Sequence, residues 1–124
     1  MIINFEEYTY ELNWKELEAV EYVSSILRNH VGKDNAISNG KIRNVLQENG
    51  YNFGGPRIRK IISYIRIKNI IHRVCSSHNG YFVAKDSEEL NEYIKSLDGR
   101  INAMAAVKQS LLQQEGIYEK RGTA

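Results

Sequence analysis

Lysine and arginine side chains are concentrated in one short stretch of the chain, residues 54–74, which reads GGPRIRKIISYIRIKNIIHRV. The stretch contains six of these cations and no aspartate or glutamate. Guanidinium and ammonium groups bind phosphate oxygens well, and no nearby carboxylate in this stretch competes for them. The chemistry that these residue types predict is therefore recognition of a polyanion and not catalysis.

The net charge of the whole chain hides this concentration. The 124 residues carry a formal net charge of +2, but residues 49–85 hold seven of the 17 basic residues and none of the 15 acidic ones. That block has a net charge of +7, and the rest of the chain has −5. A distribution this uneven indicates a polyanionic partner, and double-stranded DNA is the partner that we expect.

Few residues have the spacing that catalysis or metal binding requires. The histidines at 30, 72 and 78 and the single Cys75 match no pattern of metal ligands. A lone cysteine beside Val74 is more often a small buried hydrophobic residue than a nucleophile. The sequence also has no glycine-rich phosphate loop of a nucleotide enzyme. We therefore predict no enzymatic activity, no catalytic residues, no metal, no cofactor and no small-molecule substrate.

The composition argues against secretion and membrane insertion. One cysteine allows no internal disulfide, which suits a reducing compartment. No apolar run approaches the ~20 residues that span a bilayer. The first residues, MIINFEEYTYEL, are acidic and lack a signal-peptide pattern. The sequence predicts a cytoplasmic domain with no membrane partner.

Two amphipathic helices are predicted before the basic stretch. The first covers residues 14–31, because Asn13 and Glu16 fit a capping box and apolar residues recur every three or four positions. The second covers residues 39–48, between a Ser38 cap and an Asn49-Gly50 stop. The apolar face of the first helix is predicted to contain Trp14, Leu17, Val20, Val23, Leu27 and Val31.

A third helix, predicted over residues 56–68, places the cations. Pro56 fits the first helical position, where its missing N–H costs nothing. Isoleucines at 58, 61, 62 and 65 form one apolar face. The isoleucines are expected to hold this helix on the core, and its polar and cationic side chains are then left facing outward.

A β-hairpin follows the third helix. The runs IIHRVCSS and YFVA are rich in β-formers, and Asn79-Gly80 between them is a strong hairpin signal. Helix–helix–basic helix–hairpin is the order of a winged helix-turn-helix, with the third helix as reader and residues 70–84 as the wing. The hairpin tip could contact DNA, or the hairpin could serve only to cover the core with Tyr81 and Val83. The predicted DNA-binding residues are Arg57, Arg59, Lys60, Ser63, Tyr64, Arg66, Arg73, His78 and Asn79.

A long C-terminal helix is predicted over residues 86–115, with Asp86 and Glu89 as a second capping box. Its apolar residues follow a heptad spacing, in which Lys108 occupies one of the positions that are otherwise apolar. The heptad could pack along the Trp14 helix of the same chain, or it could pair with its copy in a homodimer, which we favour. The predicted dimerisation residues are Leu90, Ile94, Leu97, Ile101, Met104 and Leu111.

The run from IRKIISYIR to IHRVCSSHNGYFVAKDSEELNEYIKSLDGRI resembles small phage-encoded winged helix-turn-helix proteins. The resemblance covers about residues 38–112. Two departures from that pattern are the long Tyr51–Gly55 link and Lys68-Asn69 in place of a glycine before the wing. The features that carry the resemblance are Arg57, Arg59, Arg66, Ser76, Ser77, Gly80, Tyr81, Glu88, Glu89, Leu90 and Arg100.

The fold class expected is mainly α (α+β), a winged helix-turn-helix with a β-hairpin wing and a long C-terminal helix. Residues 1–12 form an unassigned arm, 13–85 the domain, 86–115 the long helix and 116–124 a flexible tail. The function expected is transcriptional regulation by DNA binding in a phage or mobile element, with a role in replication left open. The alternative is an interaction module whose basic face docks on an acidic protein.

Overall fold

The computed structural model describes residues 11–116, which form a mainly helical α+β structure, as predicted. Residues 1–10 and 117–124 lie outside this range, and so do most of the predicted arm and tail. Contacts divide the chain into two units, Met1–Leu90 and Asn91–Ala124. In the described range, no helix has the length and apolar content to cross a membrane. The elements are α1 (Trp14–Arg28), a 3-10 turn (Lys33–Asn35), α2 (Asn39–Glu48), α3 (Gly55–Ile67), β1 (Val74–Ser77), β2 (Gly80–Val83) and α4 (Ser87–Gln114).

Helix α1 begins where the capping box was predicted and ends earlier than predicted. The Glu16 N–H donates to Asn13 Oδ1 at 2.8 Å, and the Asn13 N–H donates to Glu16 Oε1 at 2.9 Å. The helix stops at Arg28, not at residue 31, because the next residues bond to the hairpin. The Val83 N–H donates to the His30 carbonyl, and the Gly32 N–H donates to the Val83 carbonyl, both at 2.8 Å.

The buried face of α1 differs from the predicted one. Trp14 and Leu17 are 69% and 46% exposed, and Glu16, between them, is only 2% exposed. The apolar spacing of three and four continues through Trp14, but α3 contacts the other side of the first turn and brings cations to Glu16. From the second turn onward the prediction improves, and the buried residues are Ala19, Val20, Val23, Ser24 and Leu27.

Helices α2 and α3 complete the core, and α3 does so with the face that was predicted. The four isoleucines predicted to face the core, at positions 58, 61, 62 and 65, are at most 1% exposed, as are Ile42 and Leu46 of α2, whereas Ile67 at the end of α3 is 56% exposed. Ser38 caps α2, where the Lys41 N–H donates to its Oγ at 3.2 Å. Gly54 is the N-cap of α3, so that Pro56 takes the second helical position and not the first.

The link between α2 and α3 is six residues long, and its aromatic side chains hold it in place. Phe53 is 2% exposed and belongs to the core. The Tyr51 ring lies 5.6 Å from the Phe53 ring and 5.5 Å from the Tyr22 ring, measured between centroids. The Tyr51 hydroxyl also donates to Glu18 Oε1 at 3.1 Å. The long link is therefore packed on α1.

The hairpin is antiparallel and shorter than the sequence predicted. Ser77 pairs with Gly80, so the two connecting residues are His78 and Asn79, one position earlier than the predicted Asn79-Gly80. Residues 70–73 form turns, because Asn69 adopts φ +57° and ends α3 with a bond from the Ile70 N–H to the Ile65 carbonyl. Asparagine here fills the left-handed position that a glycine often takes.

The other edge of β2 is bonded to the segment before α2. Ile37 and Tyr81 exchange two main-chain hydrogen bonds, both 2.8 Å long. This close approach occurs at Gly80, which has φ +126°. A Cβ on Gly80 would collide with the Ile37 carbonyl and would lie 2.7 Å from the Ser38 nitrogen. Glycine at position 80 is thus required by both the conformation and the space.

In the first turn of helix α4, the Glu89 carboxylate bonds to main-chain groups outside the helix. The Glu89 N–H donates to Asp86 Oδ1 at 2.9 Å, which confirms Asp86 as the cap. The Glu89 carboxylate accepts from the main-chain N–H groups of Lys85 and Lys33, both at 3.0 Å, and not from Asp86. These two hydrogen bonds hold the pKa of Glu89 below its ordinary value of 4.5.

The Glu89→Gln variant is expected to be less stable than the parent at pH 7 and closer to it in acid. A carboxyl whose folded pKa is lowered stabilises the fold above its ordinary pKa, and this contribution is lost as the pH falls through the folded pKa. Urea unfolding at pH 7 and at about pH 3 checks this, with the exposed Glu88→Gln as the matched control. A difference between Glu89→Gln and the parent that is equally large at both pH values would contradict the assignment.

Candidate nucleic-acid interface

The outer face of α3 lies opposite its buried isoleucines. At about 100° per residue, positions 56, 60, 63 and 67 lie most directly opposite the isoleucines, and position 59 lies at the edge of this face. Pro56, Arg59 and Ile67 are exposed, and Ser63 is half-buried. Among residues 11–116 no carboxylate forms an ion pair with Arg59. Arg59 is therefore the cation of α3 that is best placed to meet an external anion.

Arg57 and Lys60 are turned towards the body of the protein. Arg57 Nε donates to Glu16 Oε2 at 3.1 Å, and Lys60 Nζ donates to Glu16 Oε1 at 3.4 Å. The Arg57 guanidinium also lies 4.4 Å above the centre of the Phe53 ring. The prediction that Lys60 projects into solvent is wrong, because its side chain is only 13% exposed, whereas that of Arg57 is 42% exposed.

Glu16 is the carboxylate that makes this arrangement stable. Burial of the side chain opposes its ionisation and raises its pKa. The hydrogen bond from the Asn13 N–H and the charges of Arg57 and Lys60 outweigh burial, so the pKa of Glu16 stays below its ordinary value. A buried carboxylate with these three partners is ionised at neutral pH. It neutralises part of the positive charge that the sequence assigns to α3.

Arg66 connects α3 to the hairpin. Its Nε donates to the Val74 carbonyl at 3.0 Å, and its guanidinium lies 5.9 Å from the centre of the Tyr81 ring. Both contacts are with the hairpin, so Arg66 sets where the hairpin lies relative to α3. Tyr64 is half-buried and packs against the core, with the Lys68 ammonium 6.0 Å from its ring.

The three predicted wing residues do not lie together. His78 and Asn79 are exposed at the tip, where the Asn79 N–H donates to Ser77 Oγ at 3.2 Å. Arg73 is also exposed, but it precedes β1 at the opposite end of the hairpin and has φ +65°. Its carbonyl accepts from the Ala84 N–H at 2.9 Å. A ligand that reached all three residues would have to extend along the whole hairpin.

The start of α3 lies next to the start of α2, which the sequence pattern did not predict. Asn39 Nδ2 donates to the Gly55 carbonyl at 3.4 Å. A Cβ on Gly55 would lie 3.4 Å from Asn39 Oδ1 and 3.6 Å from Arg59 Nη1. The Arg59 guanidinium therefore lies beside the first turn of α3. Exposed Lys41 and Arg43 on α2 add two cations that were not among the predicted contacts.

The structure places Cys75 and the histidines away from any metal arrangement within residues 11–116. Cys75 is fully buried, and burial raises the pKa of its thiol, so it is the small hydrophobic residue that was predicted. His30 bonds through Nδ1 to the Asn35 carbonyl oxygen at 2.7 Å. No three His, Cys, Asp or Glu side chains in the described range are arranged to hold a metal ion.

The predicted dimerisation residues all lie on α4, none of whose residues is buried. Leu90 and Leu97 are half-buried, and the exposed fractions of Ile94, Ile101, Met104 and Leu111 are between 44% and 68%.

Comparison of the chain with protein-family models, with curated proteins and with solved structures finds no match.

Proposed function

We propose that the protein is a winged helix-turn-helix DNA-binding protein that reads duplex DNA with α3 and regulates transcription in a phage or mobile element. The observation that carries the proposal is that Arg59 is exposed on the outer part of α3 and has no ion pair within residues 11–116, in a 37-residue segment without a single carboxylate. Solvent-exposed helix faces usually interleave acids with bases, and this face does not. The order of helices and hairpin supports the same class.

DNA binding would use the groups that converge at the start of α3. Arg59 lies beside this first turn, whose free N–H groups and helix dipole favour a phosphate. Further along the outer face, Ser63 and Ile67 are the positions that would contact base edges and thymine methyl groups in the major groove. Lys41 and Arg43 on α2 and the hairpin tip at His78 would contact flanking phosphates.

A second candidate function follows from Ile67. Its side chain is 56% exposed on the outer face of α3, and Ile70, just beyond the helix, is 36% exposed. Apolar side chains beside cations also suit a protein surface, so the alternative is docking on an acidic protein partner. The two functions differ in their ligand, because only the first requires tight and salt-dependent binding to duplex DNA.

The Arg59→Ala variant is expected to bind duplex DNA about tenfold more weakly than the parent, or weaker still, because it loses a cation at the start of the reader helix. Selection of bound sequences from random duplexes supplies the site, and fluorescence anisotropy measures the affinity at several salt concentrations. The slope of log affinity against log salt should fall in magnitude by about 1.

The matched control is Arg28→Ala, which removes the same charge from the last turn of α1. It should change the affinity by less than about twofold. Equal losses from both variants would show that only net charge matters and would refute the reader role of α3. A parent that binds no duplex, or binds single-stranded RNA more tightly than duplex DNA, would refute the proposed function.

A further inference from the structure

Helix α4 is long, amphipathic and almost unpacked. Its 28 residues include no buried one, although its heptad positions are mostly apolar. Helical stability in water comes mainly from the packing of an apolar face. Five large apolar side chains of this helix remain between 44% and 68% exposed: Ile94, Ile101, Met104, Val107 and Leu111. A stable helix with this surface requires a partner.

The charges of α4 are divided along its length. The N-terminal part, residues 87–98, has four carboxylates and one lysine, a net charge of −3. The C-terminal part, residues 99–114, has Arg100 and Lys108 and no carboxylate, a net charge of +2. A second copy in parallel orientation would place the two acidic parts together. A copy in antiparallel orientation places each acidic part beside a basic part, and it also opposes the two helix dipoles.

Lys108 gives an independent indication of the same orientation. In the heptad, Ile94, Ile101 and Lys108 take position a, and Leu97, Met104 and Leu111 take position d. Parallel pairing would place the two Lys108 side chains in one layer of the seam, where like charges repel in an apolar contact. Antiparallel pairing places a opposite d, so each Lys108 lies opposite a leucine of the acidic part of the other helix.

We propose that α4 forms an antiparallel pair with a second copy of this chain, in a register that places Ile94 opposite Leu111, Leu97 opposite Lys108 and Ile101 opposite Met104. The register with Ile94 opposite Met104 gives as many apolar layers. It would, however, bring the two copies of Asp98 together and the two copies of Arg100 together at the flanking positions. The chosen register brings no like charges together there.

The pairing also bears on DNA binding, and this consequence depends on the proposed function. In the chosen register the two Leu90 residues are about 25 residues apart along the pair, or about 38 Å at 1.5 Å per residue. Two half-sites one turn apart on DNA are separated by about 34–36 Å. Parallel helices would bring the two Leu90 residues side by side. Antiparallel pairing thus separates the two helix starts by a distance close to one turn of DNA, and parallel pairing does not.

Disulfide trapping tests orientation and register without DNA, so that failure of the proposed function leaves this test unaffected. Ile94→Cys and Leu111→Cys are made separately, one with a short tag, then mixed under reducing conditions and oxidised. We expect up to about half of the chains to form the linked mixed dimer, which is the share that random pairing of the two variants gives, and each variant alone to stay unlinked. The oxidised parent, whose Cys75 is buried, is the control for linkage through the native thiol.

Sedimentation of the parent at micromolar concentration does not depend on any variant folding. A dimer with the expected trapping pattern supports the proposal. Self-linked Ile94→Cys means parallel pairing and overturns the orientation, and linkage of Ile94→Cys to Met104→Cys in place of Leu111→Cys overturns the register. A monomeric parent, or a dimer with none of these linkages, overturns the use of this face by a second copy and leaves it to another protein or to the chain itself.

Discussion

Gly80→Ala is expected to lower the free energy of unfolding by about 3–5 kcal/mol. Two costs add at this position. Alanine is strained at φ +126°, and its Cβ would collide with the main chain of Ile37, which cannot rotate away as a side chain can. Relief would require breaking the pair of hydrogen bonds between Ile37 and Tyr81. Urea unfolding at pH 7 measures the loss.

Gly50→Ala separates the two costs. Gly50 also has a positive φ, +88°, but a Cβ there would have nothing within 4 Å. The Gly50→Ala variant should therefore show only the cost of the strained backbone conformation, a decrease of about 1–2 kcal/mol in the free energy of unfolding. Equal losses in the two variants would mean that the close approach of Gly80 to Ile37 contributes nothing to stability.

Glu16→Gln is expected to lower the free energy of unfolding by about 3 kcal/mol at pH 7. The amide keeps the size of the side chain and can still accept from the Asn13 N–H. It removes the charge that pairs with Arg57 and with the nearly covered Lys60, so that two cations lose their shared partner. Because the Lys60 side chain is only 13% exposed, water replaces that partner poorly for Lys60 and more readily for Arg57, which is 42% exposed.

The effect of Glu16→Gln depends on pH with a definite sign. The pKa of Glu16 is lowered in the folded protein, so its charge stabilises the fold above the ordinary value of 4.5 and ceases to do so as the pH falls through the folded pKa. The variant and the parent should therefore converge in acid. Glu21→Gln, on an exposed position of the same helix, is the control and should change the stability by less than about 0.5 kcal/mol. A constant difference between parent and Glu16→Gln from pH 7 to pH 3 would contradict the ion-pair account.

Local signals in the sequence predicted the elements well. The caps at Asn13, Ser38 and Asp86 involve residues three positions apart, and the isoleucine repeat of α3 describes a single face. Signals of this kind depend only on the geometry of one helix. They were correct because no distant residue had to be known.

The details of the candidate site could not be predicted in the same way. The Glu16–Arg57 pair joins residues 41 apart, and Arg66 bonds to a main-chain carbonyl, for which the sequence has no marker. Trp14 fits the apolar spacing of α1, but α3 does not pack on it and its side chain is exposed. Only the relative positions of α1, α3 and the hairpin decide which cations face solvent. The sequence predicted which stretch carries the cations. Tertiary contacts then decide which of them are free to meet a ligand, and Arg59 is the cation of α3 that they leave exposed.

The hydrogen bonds on both edges of β2 have a consequence for the entropy of binding. One edge pairs with β1, the other with Ile37 and His30, and Arg66 ties the base of β1 to α3. A hairpin held on three sides has little freedom to lose when a ligand settles against it. Ordering of interface segments often consumes much of the free energy that new contacts supply. In this protein that ordering is completed during folding, so contacts made jointly by α3 and the hairpin would contribute nearly their full strength to affinity.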